Sequence, residues 1–377
     1  MEFNQIANIF PLMGEVEFDQ LKADIAENGL LDTVWTYDNT ILDGRNRYLA
    51  CVDLGIEPRY QEYTGSDPQS FVISKNLHRR HLNETQRAVV ASKLANMPKH
   101  RPLDKCANLH TSLQDASDKL NVSRRTVASV KEVERKAPEL MPRLESGEMT
   151  ANEAVKEVRR LEREQERKEM ADSADALPVS DRWHVEVGDI NSYDTIKQYD
   201  YIITDPPYPR EYLYLYETLA MRAKEWLKPG GLLITMCGQS YLNQIYEMMS
   251  KHLDYYWTAA YLTPGQPTPL RQVNVNTTWK PLLMFTNGGY TGRIFGDVFK
   301  SDGNDKDFHK WGQSVSGMYS VISGICLPGQ SIFDPFCGAG TTGIAALKHG
   351  CLFDGIDIDD DNVKISTRRL YDNATQG

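Results

Sequence analysis

Tyr201-Ile202-Ile203-Thr204-Asp205-Pro206-Pro207-Tyr208 divides into an apolar half and a stiff half. The run 201–204 reads as a buried strand. The tetrapeptide that follows then stands where a strand ends, and open α/β sheets place their ligands at the carboxyl ends of their strands. Two successive prolines fix φ and push Asp205 and Pro206 towards extended backbone. The result is a rigid stub that presents one carboxylate, bare carbonyls and an aromatic ring. Such a stub suits a planar, amino-bearing ring: Asp205 and the Pro206 carbonyl accept the amino hydrogens and Tyr208 stacks.

A second stretch carries an independent signal. Ser331-Ile332-Phe333 reads as a strand, Asp334-Pro335-Phe336-Cys337-Gly338-Ala339-Gly340-Thr341-Thr342 as a glycine-rich turn, and 343–349 as a helix. Glycines let backbone approach a ligand, and the helix N-terminus offers free N–H groups. No lysine follows the last glycine, so the turn is not a phosphate-binding P-loop, and the third glycine of G-x-G-x-x-G is missing. The next strand, 351–359, ends in acids suited to ribose hydroxyls, with Asp357 the first choice and Asp359 the second.

Together these runs resemble the DNA amino-methyltransferases, which methylate adenine N6 or cytosine N4. DPPY resembles their catalytic motif, DPFCGAGTT their cofactor motif, and Gly355-Ile356-Asp357 their ribose-binding acid. The catalytic run precedes the cofactor run, the permuted order of the β class. The resemblance implies a doubly wound, Rossmann-like α/β domain over 179–377, S-adenosylmethionine as methyl donor, and a base flipped out of double-stranded DNA. It implies Asp205, Pro206, Pro207 and Tyr208 as catalytic residues. It assigns Asp334, Pro335, Phe336, Gly338, Gly340, Thr341, Thr342 and Asp357 to the cofactor, with Phe336 near its methionine part. The segment before the cofactor motif adds His309, Trp311, Gln313 and Ser314, although His309 is equally a polar-loop histidine. Trp279-Lys280-Pro281 resembles a strand near the catalytic core. An acid at position 205 favours adenine N6, with cytosine N4 the alternative. The irregular segment between Leu262 and Phe308, with Arg271, Asn274, Asn276, Thr277 and Arg293, is the natural place for target recognition.

The first half reads differently. Residues 18–29 form a helix with an Asn-Gly stop, 31–37 and 40–42 a strand pair, and Asp43-Gly44-Arg45-Asn46-Arg47 a tight turn into a helix. Arginines at a helix start make an anion site. With Lys75-Asn76-Leu77-His78-Arg79-Arg80, this order resembles the N-terminal domain of ParB-type partition proteins, an α+β domain, over 1–95. Position 45 is Arg where the family's nucleotide turn carries an acid, so the resemblance implies DNA contact, dimerisation or scaffolding rather than CTP hydrolysis. Over 96–149, residues 112–135 follow a helix-turn-helix template. Asn121 takes the left-handed position, Ser123 caps the second helix, and Ala116, Leu120, Val122, Val127 and Val130 lock the pair. Arg45, Arg47, Arg79, Arg80, Arg124, Arg125, Thr126 and Arg271 are the candidate DNA contacts. Residues 150–178 read as a charged helical linker. A non-catalytic partition protein with a degenerate second half is the competing reading.

Composition agrees with this division. The 377 residues suffice for two or three domains, and the net charge of −10 is unevenly spread. Residues 75–136 hold fourteen Lys and Arg against six acids, a local basic segment fit for phosphates. The six cysteines show no metal spacing, so no metal is expected and the thiols read as free. No apolar run is long enough for a membrane span and no signal sequence is evident at the start, so a cytoplasmic location is the expectation. A homodimer and a partner restriction nuclease, as in restriction-modification pairs, remain open at this level.

Overall fold

The computed structural model describes residues 1–77, 82–96, 112–174, 177–265, 267–270, 273–303 and 314–375. They form two compact units, Met1–Glu162 and Arg163–Gly377. The first opens with α1 (Glu15–Asn28), ended by Gly29 at φ 73°, as the Asn-Gly pair predicts. β1 (Val34–Tyr37) and β2 (Thr40–Asp43) pair antiparallel around Asp38 and Asn39. Both turn residues have positive φ, 51° and 58°, which a tight two-residue hairpin requires and Asp and Asn tolerate. α2 (Arg45–Leu54) follows, and β3 (Tyr60–Glu62) adds to β1 in parallel. Ile25, Val34, Ile41, Ala50 and Cys51 form the small core between them.

α3 (Pro68–Leu77) leads to α4 (Glu84–Ala95), which starts with a reciprocal cap between Asn83 and Gln86. Apolar residues run all round α4, and a helix of that kind must be covered on every side. The cover comes from α5 (Leu113–Leu120), α6 (Arg124–Lys136), α7 (Met141–Ser146) and the start of α8 (Ala151–Asp172). Leu94, Leu120, Val127, Val130, Leu144, Ala154 and Val158 share one core. The sequence places a domain boundary near residue 95, whereas the core runs across it. Residues 151–158 are likewise core, where the sequence suggests linker.

The second unit holds an eight-stranded sheet in the order β11-β7-β10-β6-β5-β12-β13-β4. Its strands are β4 (Trp183–Val187), β5 (Tyr199–Thr204), β6 (Leu227–Met236), β7 (Asp254–Leu262), β10 (Trp279–Thr286), β11 (Val298–Lys300), β12 (Ser331–Asp334) and β13 (Leu352–Asp357). β8 (Thr268–Leu270) and β9 (Val275–Thr277) make a separate hairpin. The helices are α9 (Tyr214–Trp226), α10 (Leu242–Met249), α11 (Val315–Ile325), α12 (Thr341–Lys348) and α13 (Asp360–Thr375). β4, β13, β12, β5 and β6 run parallel, and β10 is antiparallel to both its neighbours. The sheet is therefore mixed.

Alternation along β5 sends Tyr201 and Ile203 into the core shared with α11 and α12 and Ile202 into the core shared with α9 and α10, which Tyr199 joins across a register shift between Tyr199 and Tyr201. Helices thus cover both faces, as a doubly wound sheet requires. β6 begins at Leu227 and carries Lys228-Pro229-Gly230-Gly231 within the strand, with Gly230 at φ 77°. The segment after Leu262 is not irregular throughout, since it contains the hairpin, β10 and β11. From β5 the chain winds towards β6, and from β12 it winds the other way towards β13, so the topological switch lies between β5 and β12.

Candidate active site at the strand switch

Both signature stretches leave the sheet at that switch. Thr204 ends β5 and Asp334 ends β12, and both are buried. The Thr204 hydroxyl donates to Asp334 Oδ1 at 2.6 Å, and the Phe336 N–H donates to the same oxygen at 3.1 Å. Burial nevertheless dominates: it pushes the Asp334 carboxyl up to about 6, with bonds from Thr204, Thr342 and Phe336 pulling down and the Asp205 charge adding to the rise. The ends of these two paired strands are thus also joined by one short, buried side-chain hydrogen bond.

Asp205 lies at the start of the stub, with Pro206 buried and Pro207 and Tyr208 half-buried. The sequence reading gives Tyr208 an open stacking face. In the structure its hydroxyl donates to Asp205 Oδ1, and the Lys280 ammonium lies 5.2 Å from its ring centre and 3.5 Å from its hydroxyl. The carboxylate three residues back is within reach of the phenol, and a desolvated ring attracts a cation. Burial and then the Asp205 charge hold the Tyr208 hydroxyl well above its ordinary range, so it stays a donor. Gly238, just past β6, borders the stub: a Cβ there would meet only Tyr208 Cβ, at 3.9 Å. The Tyr216 hydroxyl donates to the Met236 carbonyl at 3.2 Å and steadies that strand end. Burial, with Asp205 nearby, pushes the Cys237 thiol up to about 12, leaving it neutral and inert.

The glycine turn is shaped by φ values of 51° at Gly338 and 78° at Gly340. Around Gly338 an added Cβ would meet nothing within 4 Å, so that side of the turn is open. At Gly340 it would lie 2.4 Å from Ser366 Oγ, so α13 packs against the turn there. Asp357 accepts from the Gly338 N–H at 2.9 Å through Oδ2, and from the Asp359 N–H and Asn362 Nδ2 at 3.0 and 3.1 Å through Oδ1. Asp359 instead accepts from the Asp361 and Asn362 N–H groups, at 2.9 and 3.4 Å, and so caps α13. Of the two acids, Asp357 is the one that faces the turn. Pro335 and Thr342 are buried, and Phe336 and Thr341 half-buried, in the same stretch. Ser314 caps α11 through the Gly317 N–H at 3.0 Å.

His309, Trp311, Gln313, Arg79, Arg80 and Arg271 lie outside the described residues. Arg45 and Arg47 do not present free forks. Arg45 donates to Asn8 Oδ1 at 2.8 Å and to the Phe10 carbonyl. Arg47 pairs with Asp43 at 2.9 Å and Asp32 at 3.3 Å. Acids and carbonyls close by in the fold claim these guanidiniums. Arg124 and Arg125 are exposed at the start of α6, which Ser123 caps through the Thr126 N–H at 3.0 Å. Thr126 itself donates to Glu84 Oε1 at 3.0 Å. Asn121 has φ 47°, the left-handed value its place between α5 and α6 calls for.

Three residues of the site escaped the sequence reading. Thr204 directly precedes the stub, and its hydroxyl ends the run that begins Tyr201-Ile202-Ile203. Lys280 is the one charge in β10. Asn362 gives no sequence signal beyond lying five residues past Asp357.

Residues 290–368 match the family model described as DNA methylase. A curated relative, the Type II methyltransferase M2.LlaDCHI of Lactococcus lactis subsp. cremoris, is 48% identical over 46 residues, which is 12% of this chain and 17% of that protein. Among solved structures, the M1.HpyAVI–SAM complex is 21% identical, covering 50% of this chain and 98% of that one, at a TM-score of 0.43. The PvuII DNA methyltransferase, described as cytosine-N4-specific, is 14% identical, covering 52% of this chain and 93% of its own, at a TM-score of 0.42.

Proposed function

We propose that this chain transfers a methyl group from S-adenosylmethionine to the exocyclic amino nitrogen of a base in double-stranded DNA, with adenine N6 the preferred target. The observation that carries the reading is the Thr204–Asp334 hydrogen bond at 2.6 Å. It joins an amine-gripping stub and a glycine-rich cradle at the topological switch between β5 and β12. The match of residues 290–368 to the DNA methylase family supports the same reading.

The residues fit the methyl donor. Open space beside Gly338, the N–H groups at the start of α12, the Phe336 ring and the Asp357 carboxylate are the partners that a backbone-hugging, ribose-bearing cation needs. When bound, the sulfonium supplies a methyl group activated for in-line displacement. The protein's part is to prepare the amine. An exocyclic amino lone pair is delocalised into its ring, so the nitrogen is a poor nucleophile. Asp205 and the Pro206 carbonyl accept its two hydrogens and favour a tetrahedral nitrogen with the lone pair freed. The Tyr208 hydroxyl must turn away from Asp205, or share it, when the amine arrives. Lys280, 3.5 Å from that hydroxyl and over the ring, holds the Tyr208 ring in place as the hydroxyl moves. Catalysis on this account is positioning and electrostatics.

The first unit serves as the DNA-holding part, with Arg124 and Arg125 at the start of α6 as contacts and a ParB-like scaffold beneath them. Incubation with unmethylated DNA and isotopically labelled S-adenosylmethionine, followed by mass spectrometry of the nucleosides, tests the reading. N6-methyladenine is expected. N4-methylcytosine overturns the choice of base, and no methylated nucleoside overturns the transfer itself.

A further inference from the structure

Asp357 is held by a hydrogen-bonded chain that begins far away in sequence. Arg167, on α8, donates through Nη2 to Asn362 Oδ1 at 3.0 Å. Asn362 Nδ2 donates to Asp357 Oδ1 at 3.1 Å, and Asp357 Oδ2 accepts from the Gly338 N–H at 2.9 Å. The chemistry fixes the direction of this chain. A guanidinium only donates and a carboxylate only accepts, so the Asn362 amide must turn its oxygen to Arg167 and its NH2 to Asp357. Asn362 is buried, 7% exposed, so neither end of its amide can turn to water instead. One turn further along α8, Ala171 packs with Ala339 of the glycine turn and with Ile365, and Met170 leans on the same cluster. All of these contacts lie within the unit Arg163–Gly377.

We infer that the last turns of α8 belong to the cofactor site, with Arg167 a positioning residue that orients Asp357 through Asn362. This rests on the proposed use of Asp357 for the ribose of S-adenosylmethionine. A segment that reads as a charged linker thereby becomes the outer wall of the cradle. Removing Arg167 leaves the buried Asn362 oxygen unpaired and lets the amide, and with it the carboxylate, drift from the geometry that the Gly338 N–H shares.

Isothermal titration of the full chain with S-adenosylmethionine, without DNA, provides the test. Arg167→Met should weaken binding about three- to tenfold, the range for one hydrogen bond of this kind. Asn362→Leu should weaken it at least as much, and the double variant no more than Asn362→Leu alone, because the two act in series. Equal binding by Arg167→Met and the wild type overturns the inference. So do additive losses in the double variant accompanied by a matching fall in unfolding midpoint, which indicate docking of α8 alone. No binding by the wild type overturns the cofactor reading itself and this inference with it.

Discussion

Replacing Asp334 by Asn should remove a pH-dependent strain from the fold. The carboxyl is pushed from 3.8 up to about 6, chiefly by burial. The folded state therefore holds this proton more tightly than the unfolded state, so its stabilisation is fully present below the unfolded value and is lost as pH rises through about 6. The whole difference corresponds to about 3 kcal/mol at about 1.36 kcal/mol per pH unit, of which about 2 kcal/mol falls between pH 4.5 and pH 8. Asn keeps an oxygen to accept from Thr204 and Phe336 but does not titrate in this range. Other groups titrate alike in both proteins, so the informative quantity is the difference between variant and wild type. That difference should move by about 2 kcal/mol in favour of Asp334→Asn from pH 4.5 to pH 8, or about 4–8 °C in unfolding midpoint for a unit of this size. Urea unfolding across the pH series, read by fluorescence, measures it. A difference that is flat with pH, or that moves the other way, refutes the argument that Asp334 is ionised at a cost beside Asp205.

The two glycines of the cradle should behave differently. Gly340→Ala meets Ser366 Oγ at 2.4 Å at a φ of 78°, so it should lower the unfolding midpoint as well as cofactor binding. Gly338→Ala puts its methyl into open space at a φ of 51°, so it should cost only about 1–2 kcal/mol in stability yet weaken S-adenosylmethionine binding in calorimetry. Asn121→Ala should destabilise the first unit by about 1–2 kcal/mol while Asn121→Gly costs less, read by thermal unfolding, because the φ of 47° suits Asn and Gly but not Ala. Removing Arg124 or Arg125 should weaken DNA binding across sequences and lower the salt slope by about 0.9 for each phosphate that is no longer neutralised, measured by fluorescence anisotropy.

The sheet was legible because apolar runs such as 201–204 and 331–333 end in punctuation that only a strand end accommodates. Capping residues carried as much information in the first unit: Asn121, Ser123 and the Asn28-Gly29 pair lie where the chain turns. Boundaries were harder. The apolar residues of 88–95 announce that α4 must be covered, but nothing local says that the cover comes from helices beyond residue 95. The anion site at Arg45 and Arg47 was misjudged for a related reason. A sequence shows the guanidiniums, and Asp43 four residues before Arg47, but not Asp32, Asn8 and the Phe10 carbonyl that folding brings to them. Thr204 and Lys280 were invisible because each acts on a partner distant in the chain, Asp334 and Tyr208 respectively, and Asn362 because the Arg167 that holds its amide is 195 residues away.

The central claim is that Asp205 prepares the amine while the glycine turn separately holds the methyl donor. Asp205→Ala therefore separates the two parts. The variant should bind S-adenosylmethionine within about twofold of wild type in calorimetry, because the donor is held by Gly338 and Asp357, and giving up even one hydrogen bond to it would show as about three- to tenfold. Its rate of methyl transfer to DNA in a single-turnover assay should fall by about a hundred- to a thousandfold, the scale of removing a main electrostatic partner of the reacting group. Transfer at a rate near that of the wild type would contradict the account.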